Sequence, residues 1–125
     1  MRYGSICAGI EAATVAVAPL GWQAMWYAEI DPFCCAVLQH HYPQVPNLGD
    51  ITAVDWTDVC GQVDLVVSGP PCQAFSIAGQ RHSLEDTRGN LLLAYLNALN
   101  TIDPLWSLTE TVPGLLSTRD NAFGA

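Results

Sequence analysis

The chain contains no lysine. Arg2, Arg81, Arg88 and Arg119 stand against 12 acidic residues, giving a formal charge of −8. Surfaces that grip nucleic acid cluster Lys and Arg against phosphates, so this balance speaks against a self-sufficient nucleic-acid binder. Its five cysteines, Cys7, Cys34, Cys35, Cys60 and Cys72, include no Cys-x-x-Cys pair. An odd number without framework spacing describes reduced thiols, not a disulfide scaffold. Cys34-Cys35 and His40-His41 fall on one expected helix, where adjacent side chains point about 100° apart, so no metal site is expected. No secretory leader is expected either. The first apolar stretch is interrupted at Glu11, and the next, Ala12 to Ala18, is short and ends at Pro19. No run approaches the roughly 20 apolar residues of a membrane helix. The expected setting is therefore the cytoplasm, with no membrane partner.

With half of its 125 residues hydrophobic and 13% charged, the chain is long and apolar enough for one compact domain with a real core. Short apolar runs alternate with helical segments, the pattern of an α/β domain built on a parallel sheet. Strands are predicted over Arg2–Cys7, Ala24–Ile30, Leu48–Ile51, Val63–Ser68 and Leu105–Val112. Helices are predicted over Glu11–Ala18, from Pro32 to about His41 behind an Asp31 cap, and over Asn90–Asn100, where leucines recur at 91, 92, 96 and 99. The long polar stretch between Pro71 and Arg88 reads as a binding loop rather than slack.

Three strand ends offer groups suited to one ligand. The first turn, Cys7-Ala8-Gly9-Ile10-Glu11, keeps one glycine and lacks the dinucleotide fingerprint Gly-x-Gly-x-x-Gly. Glu11 stands where a pyrophosphate would be repelled. These features speak against a nicotinamide-dependent oxidoreductase. Glu29 lies 20 residues after Gly9, where an acidic side chain commonly accepts hydrogen bonds from ribose hydroxyls. Asp50, ending the third strand, is placed to accept from an exocyclic amine. Together they point to an adenosine-type ligand without phosphate. Further on, Gly69-Pro70-Pro71-Cys72-Gln73 follows a buried strand. The two prolines fix where Cys72 projects, making it a nucleophile candidate at the carboxyl edge of the sheet.

With Phe75-Ser76 and Gly79, that segment resembles the nucleophile motif of the DNA cytosine-5 methyltransferases. Asp86-Thr87-Arg88-Gly89-Asn90-Leu91 is similar to the family's entry into the next helix, and Glu110-Thr111-Val112 to its Glu-Asn-Val segment. The resemblance covers 1–125 as a partial catalytic domain, the N-terminal half of such an enzyme, with the target-recognition region absent. It departs from the family at the first glycine-rich motif, reduced to Gly9, at Thr111, and at Ser107 and Thr109 in the last strand.

The resemblance implies a Rossmann-like, mostly parallel α/β fold and S-adenosylmethionine as methyl donor. The donor would be held by Gly9, Ile10, Glu29, Ile30, Asp50, Ile51, Pro71 and Leu91. It implies that Cys72 attacks C6 of a flipped cytosine while Glu110 holds N3 and the exocyclic amine. Gln73, Ser76, Arg81 and Arg88 would belong to the loop that closes on DNA. Double-stranded DNA would be reached through the missing region or a complementary subunit, as in the modification half of restriction–modification. Two other readings remain open at this point: an inactive remnant that at most binds S-adenosylmethionine, and half of a split enzyme.

Overall fold

A computed structural model describes residues 1–70 and 87–111. The elements run β1 (Arg2–Ile6), α1 (Ala12–Val17), β2 (Gln23–Ala28), α2 (Pro32–His41), β3 (Leu65–Ser68), α3 (Thr87–Ile102) and β4 (Trp106–Thr109), with short 3-10 turns at Ala18–Leu20 and Trp56–Val59. The four strands form one parallel sheet in the order β2-β1-β3-β4. This is the Rossmann-like α/β architecture expected from the sequence. With β1 paired on both sides, four of its five residues are buried, as the interior of a parallel sheet requires.

The two faces of the sheet carry different chemistry. One is apolar. Ile6, Trp26 and Val66 pack there with Tyr95, Ala98 and Ile102 of α3, and with Trp56 and Val59 of the 3-10 turn. Gly4 lets the Trp26 indole lie flat across β1, because a Cβ on Gly4 would sit 2.2 Å from a ring carbon. The other face, beneath α1, is hydroxyl-rich. Tyr3 and Tyr27 both hydrogen-bond the Thr14 hydroxyl. That face is left open farther along, where Trp106 and Leu108 of β4 are 65% and 63% exposed.

Several local expectations change. Leu48–Ile51 makes no strand. Only an isolated bridge pairs Tyr27 with Asn47, after which Gly49 turns at φ 81. The Asp50 carboxylate then takes the Thr52 N–H and hydroxyl, both at 2.8 Å, closing a side-chain turn that competes with strand pairing. The 3-10 turn at Trp56 arises the same way, from Asp55 accepting the Thr57 N–H at 3.0 Å. Helix α3 is longer than its leucine spacing indicates, and Leu91, Leu92 and Leu99 of that spacing pack against the core beside Tyr95, Ala98 and Ile102. Tyr95, Ala98 and Ile102 are buried, while Leu96 is 36% exposed. Thr109 breaks the apolar pattern of β4 for a visible reason: its Oγ1 bonds the Tyr95 hydroxyl and accepts from Ser68 Oγ at 3.2 Å.

Candidate active site

The carboxyl ends of β1, β2 and β3 surround a cavity of about 330 Å³. From the expected cofactor residues it gathers Gly9, Glu29, Ile30, Asp50, Ile51 and Leu91. Ile10 is not among its lining residues and is 57% exposed. Cys7, Asp31 and Cys34 also line it, and sequence reasoning missed them. Asp31 also fills its expected role as a helix cap, accepting the Cys34 N–H at 2.9 Å.

Glu29 is the junction of the site. One carboxylate oxygen accepts the Gly9 N–H at 2.7 Å, drawing the turn after β1 against the end of β2. The other accepts the N–H groups of Ile30 and Asp31, each at 2.8 Å. A carboxylate offers about four acceptor positions, so Glu29 keeps room for one further donor, such as a ligand hydroxyl. Asp50 uses Oδ1 on Thr52, and among the described residues no hydrogen bond reaches its Oδ2. Those bonds hold its carboxyl below the usual carboxylate range, so it is an anion at neutral pH.

Cys7 behaves in the opposite way. Burial first, then the carboxylates of Glu29 and Asp50, push its thiol up to about 11. It lines the cavity as a neutral group and is a poor nucleophile.

Glu11 does not face this cavity. It takes a left-handed backbone conformation as the cap of α1, its carboxyl accepting the Thr14 N–H at 3.2 Å and the Thr14 hydroxyl at 3.1 Å. The side chain is 1% exposed, turned under the helix rather than toward a ligand, so phosphate repulsion by Glu11 is not a property of the site. Burial raises its proton affinity, with Ser5 and Thr14 opposing.

At the adjoining edge, Glu110 follows β4 and donates its backbone N–H to Ser68 O at 2.9 Å. Its carboxylate lies over Gly69, where an added Cβ would be 3.9 Å from Oε2. Glu110 is thus beside the strand end that leads, through Pro70, toward the Pro71-Cys72-Gln73 sequence. Pro71, Cys72, Gln73, Ser76 and Arg81 lie outside the described residues, and Arg88 falls in the first turn of α3.

One amide that the sequence did not single out joins these ends. Asn47 accepts the Glu29 N–H at 3.0 Å and the Gly49 N–H at 3.1 Å, and donates to Glu29 O at 3.0 Å and to Cys35 Sγ at 3.3 Å. Among the described residues, no group of three or more metal-ligating side chains comes together. No helix among them is long and apolar enough to cross a membrane.

The family model for C-5 cytosine-specific DNA methylases matches residues 1–123. The chain belongs to that family. Among its methyltransferase relatives is a protein of Escherichia phage P1 named DNA N-6-adenine-methyltransferase, 49% identical over 98% of this chain and 18% of its own length. Another is the type II methyltransferase M.Eco47II of Escherichia coli, 36% identical over 91% of this chain and 26% of its own. The chain therefore spans just under a fifth of the first relative and about a quarter of the second. The methyltransferase fold is borne out by the Dnmt2 structures from S. pombe and Spodoptera frugiperda, at TM-scores of 0.74 and 0.71. Each is 22% identical to this chain, which covers 38% of it.

Proposed function

We propose that this chain carries the cofactor and nucleophile part of a DNA (cytosine-5)-methyltransferase. The observation that carries the reading is the meeting of two edges: an acidic cavity at the ends of β1 and β2, and Glu110 beside the strand end that feeds Cys72.

The cavity suits S-adenosylmethionine by its chemistry. Glu29 retains one acceptor position for a ribose hydroxyl, Asp50 Oδ2 is open to an amine, and Ile30, Ile51 and Leu91 offer apolar surface to a base. Three carboxylates at the rim, from Glu29, Asp31 and Asp50, favour a cation over a phosphate. Bound there, S-adenosylmethionine supplies an electrophilic methyl group on a positive sulfur.

The remaining work falls to the chain. Cytosine C5 is too weak a nucleophile by itself. Attack of the Cys72 thiolate on C6 forms an S–C6 bond and pushes an electron pair toward C5. Glu110, protonated, donates to N3 and accepts from the exocyclic amine, stabilising the charge that grows on the ring. After methylation, loss of the C5 proton and expulsion of the thiolate restore the aromatic ring. The base must leave the duplex for this, and Gln73, Ser76, Arg81 and Arg88 are the residues proposed for the closing loop. With a charge of −8, the chain needs a region or complementary subunit outside residues 1–125 to grip double-stranded DNA.

The name of the phage P1 relative favours a second reading, methylation of adenine N6. That name describes a protein of which the matched region is 18%. An amine needs no covalent activation of its ring, so adenine chemistry leaves the Pro-Pro-Cys-Gln segment without a task.

The test is covalent trapping. Combined with that DNA-gripping region or subunit, S-adenosylmethionine and a duplex containing 5-fluorocytosine, which has no C5 proton to lose, the wild-type chain is expected to form an adduct that Cys72→Ser does not. An ordinary duplex should yield 5-methylcytosine on hydrolysis. N6-methyladenine there would favour the second reading, and absence of an adduct would leave only the binding remnant.

A further inference from the structure

We infer that Asn47 is a positioning residue for the cofactor site, its side-chain amide standing in for the missing third strand. This rests on the proposal that the cavity holds S-adenosylmethionine. The backbone beside β2 pairs only briefly. Tyr27 N–H donates to Pro46 O at 2.9 Å, and Leu48 N–H to Tyr27 O at 2.7 Å. A parallel ladder would next satisfy the N–H and C=O of Glu29 with backbone groups farther along the segment. The chain turns away at Gly49 instead, and the Asn47 amide takes over both bonds, accepting from Glu29 N and donating to Glu29 O.

The remaining capacity of the same amide is also used. Oδ1 accepts a second bond from Gly49 N, the residue before Asp50, and Nδ2 donates a second to Cys35 Sγ on α2. Two acceptor and two donor positions exhaust a primary amide. Asn47 is an exposed residue, so water was available to all four positions. No burial penalty forces them onto protein partners. What the arrangement achieves is geometric. It fixes Glu29 at the end of β2 and the start of the Asp50 turn relative to each other, while letting the strand stop so that the cavity can open between them. Asn47 is not among the residues that line the cavity. It acts by holding the two carboxylate-bearing segments in register, and small misplacements of such groups are costly in binding.

The account predicts that Asn47→Ala weakens S-adenosylmethionine binding about tenfold in calorimetry, the scale of one or two lost hydrogen bonds. Thermal stability should change little, because the side chain is exposed. The decisive readout is coupling. In a Glu29→Ala, Asp50→Ala background the same Asn47→Ala change should cost under about twofold, since it then has nothing to position. Asn47→Asp, which keeps the oxygen facing Glu29 N and Gly49 N, should recover part of the loss. Binding by Asn47→Ala equal to wild type, or a full tenfold loss that persists in the double-alanine background, overturns the role of Asn47 while leaving the cofactor reading intact. A wild-type chain that binds no S-adenosylmethionine overturns the cofactor reading first, and this role with it.

Discussion

The β1–β2 end of the sheet and the β4 edge are built to different standards. At the first, Glu29, Asn47, Asp31 and Asp50 fix turn, strand end and helix cap to one another through short hydrogen bonds. Beneath them Trp26 fills the space that Gly4 leaves. At the second, one outward row of β4 is apolar and open, with Trp106 and Leu108 more than 60% exposed. Its inward row is held by Thr109 bonding to Ser68 and Tyr95. The contrast teaches that, among the described residues, side-chain hydrogen bonds that join separate segments cluster around the cavity rather than at the β4 edge.

The sharpest way to break that contrast is Gly4→Ala. A methyl group cannot share the space of the Trp26 ring, so indole and strand must both move. We expect a loss of about 3 kcal/mol or more in denaturant unfolding, or failure to fold. Next is Glu29→Ala, which cuts three backbone bonds and the expected hydroxyl acceptor at once. Binding of S-adenosylmethionine should fall about a hundredfold in calorimetry.

A smaller effect of opposite sign is expected at Glu11. Its proton is held more tightly in the folded chain than in the unfolded one, with Tyr3 and Tyr27 as the titratable neighbours. Its contribution is therefore most favourable below the unfolded carboxylate value of about 4.3. It declines as pH rises toward the raised folded value. Glu11→Gln removes that decline, so melting scans should show the variant gaining on wild type as pH rises above the unfolded carboxylate value of about 4.3. A variant that loses ground across that range would contradict the buried, proton-retaining carboxyl. The smallest effect belongs to the open edge. Trp106→Ser should change unfolding free energy by no more than about 0.5 kcal/mol, and a larger loss would mean that the edge is as tightly built as the β1–β2 end.

Much of this could be read from the residues. The Asp31-Pro32 start fixed α2 because a cap and a preset φ act within one turn, and the apolar run before Gly69 marked β3 for the same local reason. The spacing of Gly9 and Glu29 was informative because both belong to successive strand ends. Asn47 was not legible. Its partner Glu29 is 18 residues away, and an asparagine just after Pro43 and Pro46 reads as loop. Nor was the failure of Leu48–Ile51 to form a strand, since it depends on Asp50 reaching forward to Thr52 rather than outward. The burial of Glu11 depends on a left-handed turn that no pattern of apolar residues announces. Cys72, the most conspicuous residue of the sequence, lies outside the described residues, and its part in the chemistry is an inference from its motif.

The central claim is that three strand ends form a site for an adenosine-type, phosphate-free cofactor. Calorimetric titration of the 125-residue chain with S-adenosylmethionine, and separately with NAD, tests it most directly. The account predicts one site for S-adenosylmethionine, weakened by Glu29→Ala and by Asp50→Ala, and no measurable heat with NAD. Tighter binding of NAD, or binding of S-adenosylmethionine indifferent to both substitutions, would contradict it.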